Sequence, residues 1–146
     1  MKRKILVMGL PGAGKTTLAM ALAPLLGAVH WNADGVRRNI CRDLGFSPED
    51  RIEQAHRMGW LCDQVVAAGG YAIADFICPT PETRRAFFGS QPSVAGIIVF
   101  VDRIAAGRFD DTNKLFVGPK TCDVRVLARG TPEYWAEQVW TLVRRR

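Results

Sequence analysis

Residues 9–17 carry the clearest chemical signal in this chain. Residues 9–16 fit the pattern G-x-x-x-x-G-K-[ST] at every specified position. Glycines let such a loop wrap closely around a phosphate, and its amides and the following helix N-terminus offer hydrogen-bond donors to an anion. The predicted phosphate-binding loop consists of Gly9, Leu10, Pro11, Gly12, Ala13, Gly14, Lys15, Thr16 and Thr17.

Two side chains of this loop have predicted roles in ATP chemistry. Lys15 would reach the β- and γ-phosphates, and the hydroxyl of Thr16 would ligate Mg²⁺. The motif therefore predicts ATP and Mg²⁺ as cofactors.

Two aspartates follow apolar runs that are predicted to be strands, and ligands bind at the carboxyl ends of strands in open α/β sheets. Asp34 could bind Mg²⁺ through water or accept the proton of an attacking hydroxyl. A role as N-cap of a helix over residues 35–42 is a compatible alternative. Asp75 is predicted in the active site because a buried carboxylate at a strand end rarely serves stability alone. Which of the two is the base and which is linked to the metal stays open.

The elements that must position these residues alternate between strands and helices. Apolar runs predict strands at 5–8, 28–31, 71–76, 96–101 and 123–127, with helices between them and after 131. In the helix over 48–68 the expected buried side contains Ile52, Ala55, His56, Gly59, Trp60 and Val66. The alternation predicts one α/β domain over 1–146 with the P-loop NTPase fold: a five-stranded, mostly parallel sheet with helices on both faces.

Residues 105–121 show little periodicity and many polar and turn residues, which is typical of a mobile lid. Arg108 and Lys114 are candidates to cover the transferring phosphate, and Arg108 is the predicted catalytic arginine. A solvated loop is the alternative.

Composition narrows the function classes. No apolar run approaches the roughly 18 residues of a membrane helix, and the first apolar run leads into the phosphate-binding loop, so no signal peptide is expected. We predict a cytoplasmic protein, in the host cytoplasm if phage-encoded, that is a monomer or a dimer. The formal net charge of +6 is compatible with a nucleic-acid partner. The four cysteines form no C-x-x-C pair and are expected to be reduced and mostly packed.

From the loop to residue 85 the sequence resembles adenylylsulfate kinases. The shared stretches are the loop itself, residues 34–37, the long run 42–53, and residues 76–79. The resemblance implies transfer of the γ-phosphate of Mg·ATP to the ribose 3′-hydroxyl of adenylylsulfate. It also implies that Arg37 and Arg51 contact phosphate-like groups of the acceptor, that Phe46 stacks on its base or forms a wall beside it, and that Asp34 acts near the attacking hydroxyl.

Four positions depart from that resemblance. The family usually has aspartate where this chain has Asn32, asparagine at the positions of Cys41 and Gln54, and a small uncharged residue at that of Asp75. Asn32 and Gln54 are candidate substrate contacts, and a pocket that hydrogen-bonds one substrate discriminates strongly against others.

These departures favour a different acceptor, and the preferred one is 5-hydroxymethyluracil in DNA, the substrate of a bacteriophage branch that resembles this family. Basic charge would serve the DNA backbone, and the base could be reached by flipping. Adenylylsulfate is the alternative acceptor. A nucleotide-binding or DNA-binding module without catalysis is the alternative of another class.

Overall fold

The computed structural model describes residues 2–89, 96–107 and 109–146. Strands and helices alternate along these residues, as the apolar runs predict. The elements in chain order are β1 (Lys4–Met8), α1 (Lys15–Leu26), β2 (Val29–Asn32), α2 (Ala33–Asn39), α3 (Pro48–Ala67), β3 (Ala72–Asp75), α4 (Pro81–Phe88), β4 (Gly96–Val101), α5 (Asp110–Leu115), β5 (Val124–Val126) and α6 (Pro132–Arg145).

The strands form a single five-stranded sheet in the order β2-β3-β1-β4-β5. Every pairing between neighbours is parallel, which confirms the predicted sheet. β1 is the central strand, with Val7 opposite Asp75 of β3 on one side and opposite Val99 of β4 on the other. This register brings the end of β3 beside the start of the phosphate-binding loop.

Helices cover both faces of the sheet. Alternate β1 residues point to opposite faces, so Ile5 and Val7 join a core with α1 and α6, while Leu6 and Met8 join a core with α3 and α4. All four of these side chains are fully buried. Burial on both faces explains why β1 is a continuous apolar run in the sequence.

Two helix starts differ in how well the sequence predicted them. α3 begins at residue 48 as predicted, and the hydroxyl of its N-cap, Ser47, accepts from the backbone N–H of Asp50 at 3.1 Å. The cap of α2, however, is Asn32 and not Asp34: the Asn32 side chain accepts from the Gly35 N–H at 3.1 Å. The helix therefore begins at Ala33 and ends at Asn39, earlier than predicted at both ends.

The predicted buried side of α3 is wrong in part. Ala55 and Gly59 are buried, but Ile52, His56 and Trp60 are exposed. The buried stripe instead includes Gln54, Met58, Cys62 and Asp63. At Gly59, which is buried as predicted, α3 lies so close to α4 that an added Cβ would collide with the carbonyl oxygen of Phe87.

The predicted lid segment contains a short helix that its sequence pattern did not reveal. α5 begins at Asp110, and the side chain of Asn113 folds back to accept from the Gly107 N–H at 2.6 Å. Further along, the Val117 N–H donates to the carbonyl of Pro79 at 2.7 Å. Arg108 lies outside the described residues. In the described part of the chain, no helix has the length and apolar character needed to cross a membrane.

Candidate active site

The loop between β1 and α1 is shaped by its glycines. Gly9 has φ +153°, and a Cβ there would lie 2.5 Å from the carbonyl oxygen of Val101, so only glycine fits. Gly14, with φ +101°, is the N-cap of α1 and has no side chain with which to cap it. The first turn of α1 thus has no side-chain cap, and the helix dipole adds positive potential there.

The two predicted phosphate and metal groups sit at the start of α1. Lys15 Nζ donates to the carbonyl of Leu10 at 2.9 Å. Thr16 is exposed, and its hydroxyl donates to Asp75 Oδ1 at 3.2 Å. The contact joins the end of β3 to the phosphate-binding loop, which is what the register of β1 and β3 makes possible.

Asp75 is the centre of a polar cluster at the ends of β2 and β3. Its Oδ2 accepts from Asn32 Nδ2 at 3.1 Å and lies 2.5 Å from His30 Nε2. Asn32 Nδ2 also lies 3.2 Å from Thr16 Oγ1. The Asp75 side chain is only 3% exposed, and these polar neighbours satisfy its two oxygens.

A second group of side chains surrounds the exposed ring of Phe46. The guanidinium carbons of Arg37 and Arg51 lie 4.3 Å and 5.6 Å from the ring centroid. Arg37 also donates to the carbonyl of Gly45 at 2.8 Å, and burial lowers the pKa of its guanidinium. Asp50 fixes this loop by accepting from the Gly45 N–H at 2.7 Å. The result is an exposed aromatic ring with two guanidinium cations over it, a group that suits an anionic ligand.

Gln54 lies behind this group and is 2% exposed. Among the described residues, neither its amide nitrogen nor its amide oxygen has a hydrogen-bond partner. A buried amide left unpaired costs free energy, and such groups in native structures call for an explanation. A ligand that bonds this amide would supply one.

One cavity of about 870 Å³ connects the two groups. This is the range of volumes that hold small molecules and cofactors. The predicted site residues along its wall are Pro11, Gly12, Gly14, Lys15, Thr16, Thr17, Asn32, Asp34, Arg37, Phe46, Arg51, Gln54 and Asp75.

These donors fit Mg·ATP. The glycine positions leave room for a phosphate, the helix N-terminus favours an anion, and the Thr16 hydroxyl beside a carboxylate offers the hard oxygen ligands that Mg²⁺ prefers. Asp34, in contrast, lies in the first turn of α2 with an exposed side chain on the cavity wall. The carboxylate that contacts Thr16 is that of Asp75, and the predicted role of Asp34 as a metal ligand stays a prediction.

His30 belongs to the polar cluster around Asp75, but the sequence did not predict it as a site residue. It was treated only as part of the predicted strand 28–31. The spacing of His30 and Asn32, two residues apart on β2, places them on one face of the sheet, but the pairing of Asn32 with Asp75 is visible only in the structure.

Comparison with known proteins gives the family. The model of the family described as adenylylsulphate kinase matches residues 2–125. This chain belongs to the adenylylsulphate kinase family. In Shewanella baltica an adenylyl-sulfate kinase is 40% identical over 98 residues, which are 64% of this chain and 48% of that protein. A Marinobacter nauticus adenylyl-sulfate kinase is 37% identical over 99 residues, 64% of this chain and 50% of that protein. The chain thus spans about half the length of the curated relatives it matches.

A solved structure supports the fold over nearly the whole chain. The Mycobacterium tuberculosis APS kinase, in complex with AMPPNP and APS, aligns with 98% of both chains at a TM-score of 0.90 and 21% identity. This chain therefore has the fold of a P-loop kinase, as predicted.

Proposed function

We propose that this chain transfers the γ-phosphate of Mg·ATP to the ribose 3′-hydroxyl of adenylylsulfate. The observation that carries the proposal is the single cavity that joins the phosphate-binding loop to the Phe46 surface and the unpaired Gln54 amide. When donor and acceptor are bound in one cavity, they lose little further freedom before they react. Such positioning, together with electrostatic stabilisation, is how enzymes accelerate phosphoryl transfer.

The loop residues would hold the donor. The first-turn amides of α1 would bind phosphate oxygens, and Lys15 would exchange its contact with Leu10 for the β- and γ-phosphates. Thr16 and Asp75 would hold Mg²⁺, which when bound neutralises charge on the phosphates.

The opposite wall would hold the acceptor. The adenine would stack on Phe46, Arg37 and Arg51 would face the sulfate and phosphate groups, and Gln54 would bond a polar edge of the acceptor. Asp34 would accept the proton of the attacking hydroxyl, since it is an exposed carboxylate that lines this cavity. The bond from the hydroxyl oxygen to the γ-phosphorus then forms as the bond to the β–γ bridging oxygen breaks, and ADP leaves.

A second candidate acceptor is the hydroxymethyl group of 5-hydroxymethyluracil in DNA. One observation favours it: Asn32, Gln54 and Asp75, at which this chain departs from the family resemblance, all line the cavity. The matched relatives are adenylyl-sulfate kinases, so they support adenylylsulfate better than DNA.

The test is a transfer assay with γ-labelled ATP, Mg²⁺ and three acceptors in parallel: adenylylsulfate, DNA containing 5-hydroxymethyluracil, and the free hydroxymethyl nucleotide. Label in adenylylsulfate alone, lost in Lys15→Ala, is the expected result. Label in DNA alone would replace the proposal with the second candidate. ATP binding without transfer to any acceptor would instead support a non-catalytic module.

A further inference from the structure

His30 occupies a position that the ATP chemistry described above does not use. It lies on β2, two residues before the Asn32 cap, and its side chain is 17% exposed. Its Nε2 atom lies 2.5 Å from Asp75 Oδ2. Asn32 and Thr16 lie farther from the same carboxylate, at 3.1 Å and 3.2 Å.

The direction of this hydrogen bond follows from what surrounds Asp75. Thr16 donates to Oδ1 and Asn32 donates to Oδ2, so the carboxylate is used as an acceptor on both oxygens. Because Thr16 and Asn32 already donate to this carboxylate, we assign the donor role in the third bond to His30 Nε2–H. Neutral and charged imidazole can both provide that donor.

The bond also restricts how Asp75 can turn. With Oδ2 held by His30 and Asn32, the other oxygen, Oδ1, is left to face the Thr16 hydroxyl. A carboxylate at a strand end without these donors could rotate about its terminal torsion, which is broad for aspartate.

We propose that His30 is a positioning residue for the Mg²⁺ site: through Nε2–H it fixes the Asp75 carboxylate so that Oδ1 and the Thr16 hydroxyl present one ready-made pair of oxygens. The inference rests on the proposed function only in taking this loop as the Mg·ATP site. Groups behind the ligands of a metal site typically change affinity by about 10- to 100-fold when they are lost.

The experiment measures ATP binding by calorimetry, in Mg²⁺ and in EDTA, for wild type, His30→Leu and His30→Gln. Leucine fills a comparable space without a donor, whereas the glutamine side-chain amide places a donor near the position of Nε2. Mg²⁺ should strengthen ATP binding by a factor that is about tenfold smaller in His30→Leu than in wild type. The affinity for ATP in EDTA should be unchanged. His30→Gln should keep most of the gain. Thermal unfolding of both variants checks that each is folded.

A double-mutant cycle with Asp75→Asn separates positioning from a general structural role. His30→Leu should have little further effect once Asp75 is neutral. The proposal is overturned if His30→Leu weakens ATP equally with and without Mg²⁺, if His30→Gln fails as badly as His30→Leu, or if the two losses add. No acceptor is present in this experiment. Transfer to no acceptor would therefore refute the proposed function and leave this inference standing.

Discussion

The Gln54 side chain is expected to favour acceptor binding and to lower the stability of the free protein. Its amide is buried on the cavity wall and, within the described chain, unpaired. If the amide exists to bond an acceptor, its loss should harm acceptor binding and help the fold.

We predict that Gln54→Leu raises the acceptor KM by about 10-fold or more and stabilises the free protein by about 1–3 kcal/mol, because the unpaired amide no longer has to be buried. Steady-state kinetics and urea unfolding measure the two effects. Gln64→Leu on the exposed side of the same helix is the matched control and should change neither. An unchanged KM together with a less stable protein would show that Gln54 is only a packing residue.

Two buried thiols make stability depend on pH. Burial raises the pKa of Cys62 and of Cys78 from 9.0 to about 12. Between these values the unfolded chain releases both protons and the native chain keeps them, so stability is intact below pH 9 and falls as pH rises.

At pH 10 each thiol should account for a loss of about 1.4 kcal/mol. Urea unfolding at pH 8 and pH 10 should therefore show a stability drop that is smaller by about 2–3 kcal/mol in Cys62→Ala/Cys78→Ala than in wild type. Comparing the drops removes the cavity cost of the substitutions. Equal drops in the two proteins would mean that these thiols do not titrate in this way.

Some residues of the candidate site could be predicted from the sequence, and His30 could not. Asp75 could be predicted because an apolar run that ends in a carboxylate is visible in one stretch of chain. The role of His30 could not, since it depends on β2 lying beside β3, and strand order is not written in any local pattern. Asn32 was assigned to the substrate, but its cap and its bonds to Thr16 and Asp75 appear only once α1, β2 and β3 meet.

The elements α3, α4 and β1 enclose a charge pair far from any predicted site. Lys4 Nζ lies 2.9 Å from Asp63 Oδ1 and donates to the Phe87 carbonyl at 2.7 Å, and the side chains of Lys4 and Asp63 are fully buried. The pair is close in distance, yet neither Asp63 oxygen accepts a well-directed hydrogen bond within the described residues. The attraction is therefore mainly between charges, and the desolvation cost is large.

We predict that Lys4→Met destabilises the protein by about 3–5 kcal/mol because it leaves the Asp63 carboxylate buried alone. The double variant Lys4→Met/Asp63→Leu should recover most of that loss. Urea unfolding of the three proteins measures it. A double variant no more stable than Lys4→Met would show that the lysine acts through its packing and its bond to Phe87 instead.

This pair also explains why the face of α3 was predicted wrongly. Hydrophobic periodicity places Ile52 and Trp60 inside, whereas the actual stripe contains the polar residues Gln54 and Asp63. A charge is buried when its partner comes from another element, and Lys4 is 59 positions away in the chain. The ends of α3 were predicted well because Ser47, Pro48 and Gly69 act locally.

At the scale of the whole molecule, the site is assembled where β1, β2 and β3 end side by side. The parallel sheet and the P-loop fold followed from alternating patterns along the chain. The segment 105–121 was predicted as a lid, and its described part places Phe109 and Thr112 on the cavity wall.

We predict that amides of α5 gain protection from hydrogen exchange when AMPPNP and adenylylsulfate bind together, because closure over both ligands would bury this segment. Mass spectrometry of the exchanged protein measures this, with α6, on the far side of the sheet core, as the internal control. Protection that is unchanged in α5, or that rises equally in α6, would contradict a closing lid.

Transfer of the γ-phosphate of ATP to adenylylsulfate can be followed directly by ³¹P NMR of a mixture of this protein, ATP, Mg²⁺ and adenylylsulfate. We expect the γ-phosphate signal of ATP to be replaced by a new phosphate monoester signal and by the signals of ADP, and we expect neither with Lys15→Ala. Signals of ADP and free inorganic phosphate without a new monoester would contradict it, because ATP would then be hydrolysed and not used to phosphorylate the acceptor.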